Sequence, residues 1–345
     1  MSLTFAAPTS AAVASVVTAP TGATLPLSQL APEAALQRLE LTIVRRLDGY
    51  LQGDHLGLIP GPGSDMGDAR PYVAGQDDIR RMDWAVTART TIPHVRDTIA
   101  DRELEVWALL DVTPSMNWGT GGVTKRDLGI AAIATLGFIS QKVGDRFGGL
   151  IMAPTGLKRI PAGSGRTALY ALLRTMLVYP IVPDNTVGSV DLSDGIDQMT
   201  RLERRRGLKV VVSDFLTTGD AELDPNVETA WERPLRKLAV RNQVICVEVL
   251  DRREIEFPDV GEILIRDPET NFDRYVNTGD AAARARLDAA TRAQRERIRQ
   301  SIRRAGAAHI VLRTDHDWVQ DIARFVLSYR RLAGQLHTPP RGVTR

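Results

Sequence analysis

Three oxygen-bearing side chains stand at alternate positions, Asp111, Thr113 and Ser115, directly after the apolar run Leu104–Leu110. A carboxylate followed by two hydroxyls is a donor set for a hard cation, which takes oxygen ligands and tolerates hydroxyl alongside carboxylate. Pro114 lies between the two hydroxyl residues and stiffens the loop. A second apolar run, Leu208–Val212, stops at Ser213 and Asp214, so a second chain segment also delivers a carboxylate where its hydrophobic stretch ends. No matching acid–base pair accompanies them, which points to binding rather than to bond-breaking chemistry.

Such groups need a scaffold that brings two strand ends together. Near-continuous apolar runs suit parallel strands buried on both faces, and in open parallel sheets ligands gather beyond the carboxyl ends of the strands. The chain supplies further runs of this kind at Arg146–Ala153 and Gln243–Leu250, a short edge strand at Leu157–Ile160 and a last strand at His309–Leu312. Between them lie helical patterns at Lys125–Lys142, Arg166–Tyr179, Asp191–Arg206, Pro234–Val240, Asp280–Arg304 and Asp317–Ala333, with Glu262–Arg266 and Arg274–Asn277 reading as a hairpin. Strands alternating with helices predict an α/β fold, a Rossmann-like, doubly wound, mostly parallel sheet with an inserted β-hairpin. Ahead of it, Pro32–Gln52 has helical spacing, and Leu56–Ala88 is a Gly- and Asp-rich segment with interspersed arginines. The expected division is a disordered tail at 1–30, an N-terminal helix and Arg/Asp/Gly-rich segment at 31–100, the sheet domain at 101–335 and a flexible tail at 336–345.

Composition narrows the function classes. The 345 residues carry 44 Lys plus Arg against 42 Asp plus Glu, a net charge of +2 that gives no general attraction to nucleic acid. The single cysteine, Cys246, excludes an internal disulfide and a structural zinc cluster. No stretch approaches the roughly 20 apolar residues that span a bilayer, and prolines and polar residues interrupt the first thirty, so a soluble, cytoplasmic protein is expected.

The loop Asp111-x-Thr113-x-Ser115 with a later strand ending in Asp214 resembles the metal-ion-dependent adhesion site of von Willebrand factor A domains. More specifically, Arg70-x-Tyr72-x-x-Gly75-x-Asp77, then Arg80-x-x-Asp83-Trp84 and Ala88-Arg89, is similar to the domain-of-unknown-function 58 family. That resemblance implies a von Willebrand factor A-like fold and a partnership with a MoxR-type AAA+ ATPase in maturing or remodelling client proteins. It implies a magnesium site, other divalent cations being admissible, with Thr113 and Ser115 as direct ligands and Asp111 and Asp214 acting directly or through water. A further hydroxyl ahead of the Asp214 strand is implied too, from Ser189 or, in another register, Thr186. Arg70, Tyr72, Asp77, Arg80, Asp83, Trp84 and Arg89 form either a second contact surface or a loop cover held by ion pairs.

Two enzymatic alternatives use the same residues. In a phosphotransferase or phosphatase of the haloacid-dehalogenase type, Asp111 is the nucleophile, but the position two residues on is Thr113 where a second acid is needed. The glycine-rich Gly119-x-Gly121-Gly122-x-x-Lys125 opens a helix after a strand, as phosphate loops do, yet it lacks the adjacent Gly-Lys-Ser/Thr and reads as a flexible turn.

Overall fold

The computed structural model of the protein describes residues 4–5, 32–50, 69–72, 82–90, 92–96, 105–120, 122–140, 145–184, 186, 188–202, 206–216, 228–256, 258–266 and 273–336. The chain divides into two compact units, Met1–Leu58 with Leu104–Arg331, and Ile59–Glu103 with Leu332–Arg345. In chain order the first unit begins with strand β1 (Thr4–Phe5) and helix α1 (Pro32–Tyr50). The second contributes β2 (Ala69–Pro71), α2 (Trp84–Thr90) and β3 (His94–Arg96). The first then resumes with β4 (Glu105–Asp111), α3 (Lys125–Ser140), β5 (Arg146–Ala153), β6 (Gly156–Ser164), α4 (Gly165–Leu177), α5 (Leu192–Leu202) and β7 (Gly207–Ser213). It continues through α6 (Glu232–Arg241), β8 (Gln243–Leu250), α7 (Arg252–Ile255), β9 (Glu262–Arg266), β10 (Asp273–Asn277), α8 (Ala281–Arg304), β11 (Ala308–Arg313) and α9 (Trp318–Leu336).

The main sheet has six strands in the order β11-β8-β7-β4-β5-β6, parallel throughout except for the antiparallel edge strand β6. This is the mostly parallel α/β sheet that the alternation of runs predicts. Every residue of β4 and β7 is buried, as strands covered on both faces require. Side chains alternate between the faces. On one, Trp107, Leu109, Val211 and Cys246 join Ile196 of α5, Leu235 of α6 and Ile302 of α8 in a continuous apolar cluster. On the other, α3 packs so closely that a Cβ on Gly129 would lie 2.8 Å from the Val212 side chain and 3.2 Å from that of Leu110.

The chain passes from β4 to β5 on one side and returns to β7 on the other, so the connections leaving β4 and β7 diverge at their carboxyl ends. That is the switch point at which open α/β sheets form a crevice. Asp111 closes β4 and Asp214 follows β7 immediately, on adjacent strands.

Two differences from the sequence expectations have physical reasons. Helix α1 packs against α3 and α4, burying Leu36, Leu39 and Ile43, and so belongs with the sheet, although the expected division grouped it with the Arg/Asp-rich segment. Arg174–Glu33 at 3.2 Å and an Arg166–Glu40 pair accompany that packing. Within the stretch expected as a disordered tail, Thr4–Phe5 pairs antiparallel with Ile265 and Arg266, extending the β9–β10 hairpin to three strands. The expected tail at 336–345 lies outside the described residues except for Leu336, which ends α9.

Candidate functional site: the rim of strands β4 and β7

Asp111 is 4% exposed and accepts at both oxygens. Its Oδ1 receives the Thr113 backbone N–H at 2.8 Å and the Thr113 hydroxyl at 2.7 Å, and its Oδ2 receives the Ser213 hydroxyl at 2.7 Å. The Asp-x-Thr spacing produces the first two bonds, because a short acidic side chain at a strand end folds back onto the amide two residues on. Pro114–Asn117 then turns in one short 3-10 helix, placing buried Ser115 beside Thr113.

The two hydroxyl oxygens of Thr113 and Ser115 lie 3.1 Å apart. Thr113 donates its proton to Asp111, and the Ser115 hydroxyl lies near enough to Asp214 to help lower that carboxyl. The Ser115 hydroxyl is then the donor between the two alcohols, and its oxygen keeps its lone pairs. Adjacent ligands on a magnesium octahedron of roughly 2.05 Å radius stand about 2.9 Å apart. The pair therefore fits a hard cation in chemistry and in spacing. Among the described residues no three His, Cys, Asp or Glu side chains assemble into a metal-holding group.

The second carboxylate has a different environment. Asp214, 1% exposed, receives the ammonium of Lys125 at 2.9 Å on Oδ2 and the Leu216 backbone N–H at 3.1 Å on Oδ1. Lys125 is fully buried and also donates to Glu254 at 2.6 Å. Burial alone would lower the lysine; the two carboxylates outweigh it and raise the amine above its ordinary range, so it is charged. Burial alone would raise Asp214, but the Lys125 ammonium prevails and holds the carboxyl below its usual value. Asp111 has no cation of its own in this cluster. Burial, and after it the Asp214 charge, raise its carboxyl from 3.8 to about 6 against the hydrogen bonds from Thr113 and Ser213.

A third strand-end carboxylate, Asp251 after β8, is fully engaged. It receives the Thr120 N–H at 2.7 Å, the Thr314 hydroxyl at 2.6 Å and the Arg253 N–H at 2.8 Å, tying the β4–α3 loop to the ends of β8 and β11. Together with Glu254 it forms the capping box of α7.

The structure thus links Asp111, Thr113 and Ser115 by hydrogen bonds and sets Ser115 beside Asp214. The two residues implied for the further hydroxyl are not in it. Thr186 turns its hydroxyl to the Pro183 carbonyl at 2.6 Å, and Ser189 is exposed. Their loop does reach the same rim, since Val190 N–H donates to the Pro154 carbonyl just beyond β5, and a Cβ on Gly188 would lie 1.8 Å from that oxygen.

Lys125, Glu254, Ser213 and Asp251 were not among the predicted site residues. One signal for Lys125 was available: it stands three residues before Leu128 and seven before Ala132, so it continues the apolar stripe of α3 and points inward. The glycine-rich segment before it, read as a flexible turn, ends in a lysine that is fully buried against two carboxylates.

Within the second unit, Arg70 pairs with Val95 in a two-stranded ribbon, and the Tyr72 N–H donates to the Pro93 carbonyl at 2.8 Å. Asp83 is the N-cap of α2, accepting from Ala85 and Val86 N–H at 3.0 and 3.1 Å. Trp84, 69% exposed, and Arg89 face solvent, while Asp77 and Arg80 lie outside the described residues. Asp83→Ala should cost about 0.5–2 kcal/mol of local stability. It should speed amide exchange at residues 84–87 without changing exchange in β4 or β7.

The chain matches the family described as "Protein of unknown function DUF58" over residues 68–297. It is 48% identical over 303 residues to an uncharacterized protein of Mycobacterium tuberculosis, covering 87% of this chain and 91% of that one. It is 42% identical over 181 residues to an uncharacterized protein of Mycobacterium avium, covering 52% and 99%. Solved structures it resembles include the conserved hypothetical protein BatB from Bacteroides thetaiotaomicron, with TM-score 0.37 and 13% identity over 66% of this chain and 99% of that one. Another is the SpRpn10 VWA domain, with TM-score 0.32 and 12% identity over 71% and 100%. Among the described residues no helix is long and apolar enough to cross a membrane.

Proposed function

Because the chain belongs to the DUF58 family, we propose that its β4–β7 rim is a metal-ion-dependent adhesion-type site of a non-enzymatic interaction module. The observation that carries this reading is the cluster of Asp111, Thr113, Ser115 and Asp214 at adjacent strand ends, in which two alcohol oxygens 3.1 Å apart lie beside two carboxylates. Thr113 and Ser115 would hold magnesium directly, Asp111 directly or through water, and Asp214 through water, since its Oδ2 is bonded to Lys125. The ion would supply a Lewis-acidic position that a partner's carboxylate completes, because magnesium keeps several waters that such a ligand can displace.

The partner we propose is a MoxR-type AAA+ ATPase or the client it remodels, in the cytoplasm, following the likeness of the Arg70–Arg89 segment. Phosphotransfer through Asp111 ranks below this reading, because both of its oxygens are occupied by Thr113 and Ser213 and the acid two residues on is absent. Affinity capture with the full chain as bait tests the proposal. An AAA+ ATPase should be recovered with Mg2+, and recovery should fall by about tenfold or more with EDTA or with Asp111→Asn, one ligand contact of about 1.4 kcal/mol being a factor of ten. Equal recovery under all three conditions removes the metal from the mechanism.

A further inference from the structure

The first residue of α3 is an unfavourable place for a buried lysine. Helix N-termini carry positive potential that repels cations, and a fully buried ammonium persists only when paired. Lys125 occupies that place, with Asp214 at the end of β7 and Glu254 in α7 as its two carboxylate partners. Glu254 is held in turn, its other oxygen accepting the Asp251 N–H at 3.1 Å. The ammonium is therefore fixed on the Asp214 side of the chain of oxygens, away from solvent.

Building on the cation-site reading above, we infer that Lys125 is a tethered counter-cation of the rim: it occupies Asp214, so a divalent ion engages only the Asp111–Thr113–Ser115 side and is held weakly until a partner adds an oxygen. The fixed ammonium acts in two ways. It removes a carboxylate oxygen from the metal's reach, and its buried, weakly screened charge repels the ion. Lys125 thereby sets the affinity of the site and makes tight metal capture conditional on a partner. A merely structural ion pair would stabilise the fold without any effect on metal affinity.

Titration of the full chain with Mn2+, followed by the loss of the free-ion paramagnetic resonance signal, separates these roles. The variants are Lys125→Met and the double variant Lys125→Met/Glu254→Gln. The double variant keeps the local charge sum while freeing Asp214. Both should bind Mn2+ about tenfold or more tightly than the wild type. Adding Asp111→Asn to either should abolish that gain. Mn2+ affinity unchanged or weakened in the folded double variant overturns the inference. So does failure of both variants to fold even with Mn2+ present, because a cation standing in for metal is replaceable by metal. The underlying metal reading is judged separately, by whether the wild type binds Mn2+ in an Asp111-dependent way. Weak, Asp111-dependent binding by the wild type with tight binding by the Lys125 variants is the expected pattern, whereas wild-type binding that Asp111→Asn leaves unchanged refutes the underlying metal reading.

Discussion

Asp214→Ala is expected to destabilise the protein by about 3–5 kcal/mol, the range for removing one partner of a buried ion pair. The substitution leaves the Lys125 ammonium, fully buried, with Glu254 as its remaining carboxylate partner. It also takes the acceptor from the partly buried Leu216 N–H. Urea unfolding at neutral pH measures the loss. Glu256→Ala is the comparison: it breaks the Arg252 pair at 2.7 Å and the Arg313 pair at 3.1 Å, but Arg252 is 59% and Glu256 48% exposed, so less than about 1 kcal/mol should be lost. The difference between wild type and Asp214→Ala should also depend on pH. The native Asp214 carboxyl titrates below its ordinary 3.8, so its contribution is complete above that value and disappears as pH falls through the lower native value. The two unfolding curves should therefore converge in acid. A loss below about 1 kcal/mol at neutral pH would mean that Lys125 is not held by Asp214.

The parts of this architecture that were legible from sequence are those encoded by neighbouring residues. Strand β4 shows itself because Val106, Trp107, Ala108, Leu109 and Leu110 are all apolar, as burial on both faces demands. The Asp-x-Thr-x-Ser spacing likewise fixes its own loop, since Asp111 bonds the amide and hydroxyl only two residues away. Edge strand β6 was read as Leu157–Ile160 but runs Gly156–Ser164, because its exposed residues carry no hydrophobic alternation and its length is set by backbone pairing to β5. Lys125 shows the limit most clearly. Its partners are 89 and 129 residues away along the chain, and nothing local says what its ammonium meets. The inward stripe of α3 indicates burial, but the identity of the carboxylates follows only from the order in which β7 and β8 join the sheet. Asp251 is hidden for the same reason, being engaged by Thr120 from 131 residues upstream and Thr314 from 63 downstream.

Asp111→Asn should stabilise the metal-free protein at neutral pH by about 1–3 kcal/mol, the opposite sign from its neighbour on β7. Burial and the Asp214 charge raise the Asp111 carboxyl from 3.8 to about 6, so the fold prefers it protonated. The stability gained from that preference is fully present below the unfolded value of 3.8 and is lost as pH rises through about 6. At pH 7 the native state thus carries an ionised group at a cost approaching about 3 kcal/mol, at 1.36 kcal/mol for each pKa unit. Asparagine keeps a carbonyl oxygen for Thr113 but presents an amide to the Ser213 hydroxyl, giving back about 0.5–1.5 kcal/mol for the altered hydrogen bond. In EDTA, thermal unfolding should show the variant more stable than the wild type at pH 7, with the advantage shrinking as pH is lowered toward 4. Magnesium should then raise the wild-type midpoint and leave the variant unchanged, because the uncompensated charge that weakens the fold is the same charge that a cation would neutralise. A variant less stable than the wild type at pH 7 in EDTA would mean that ionised Asp111 is already compensated within the chain, and the electrostatic demand for an added cation at this rim would disappear with it.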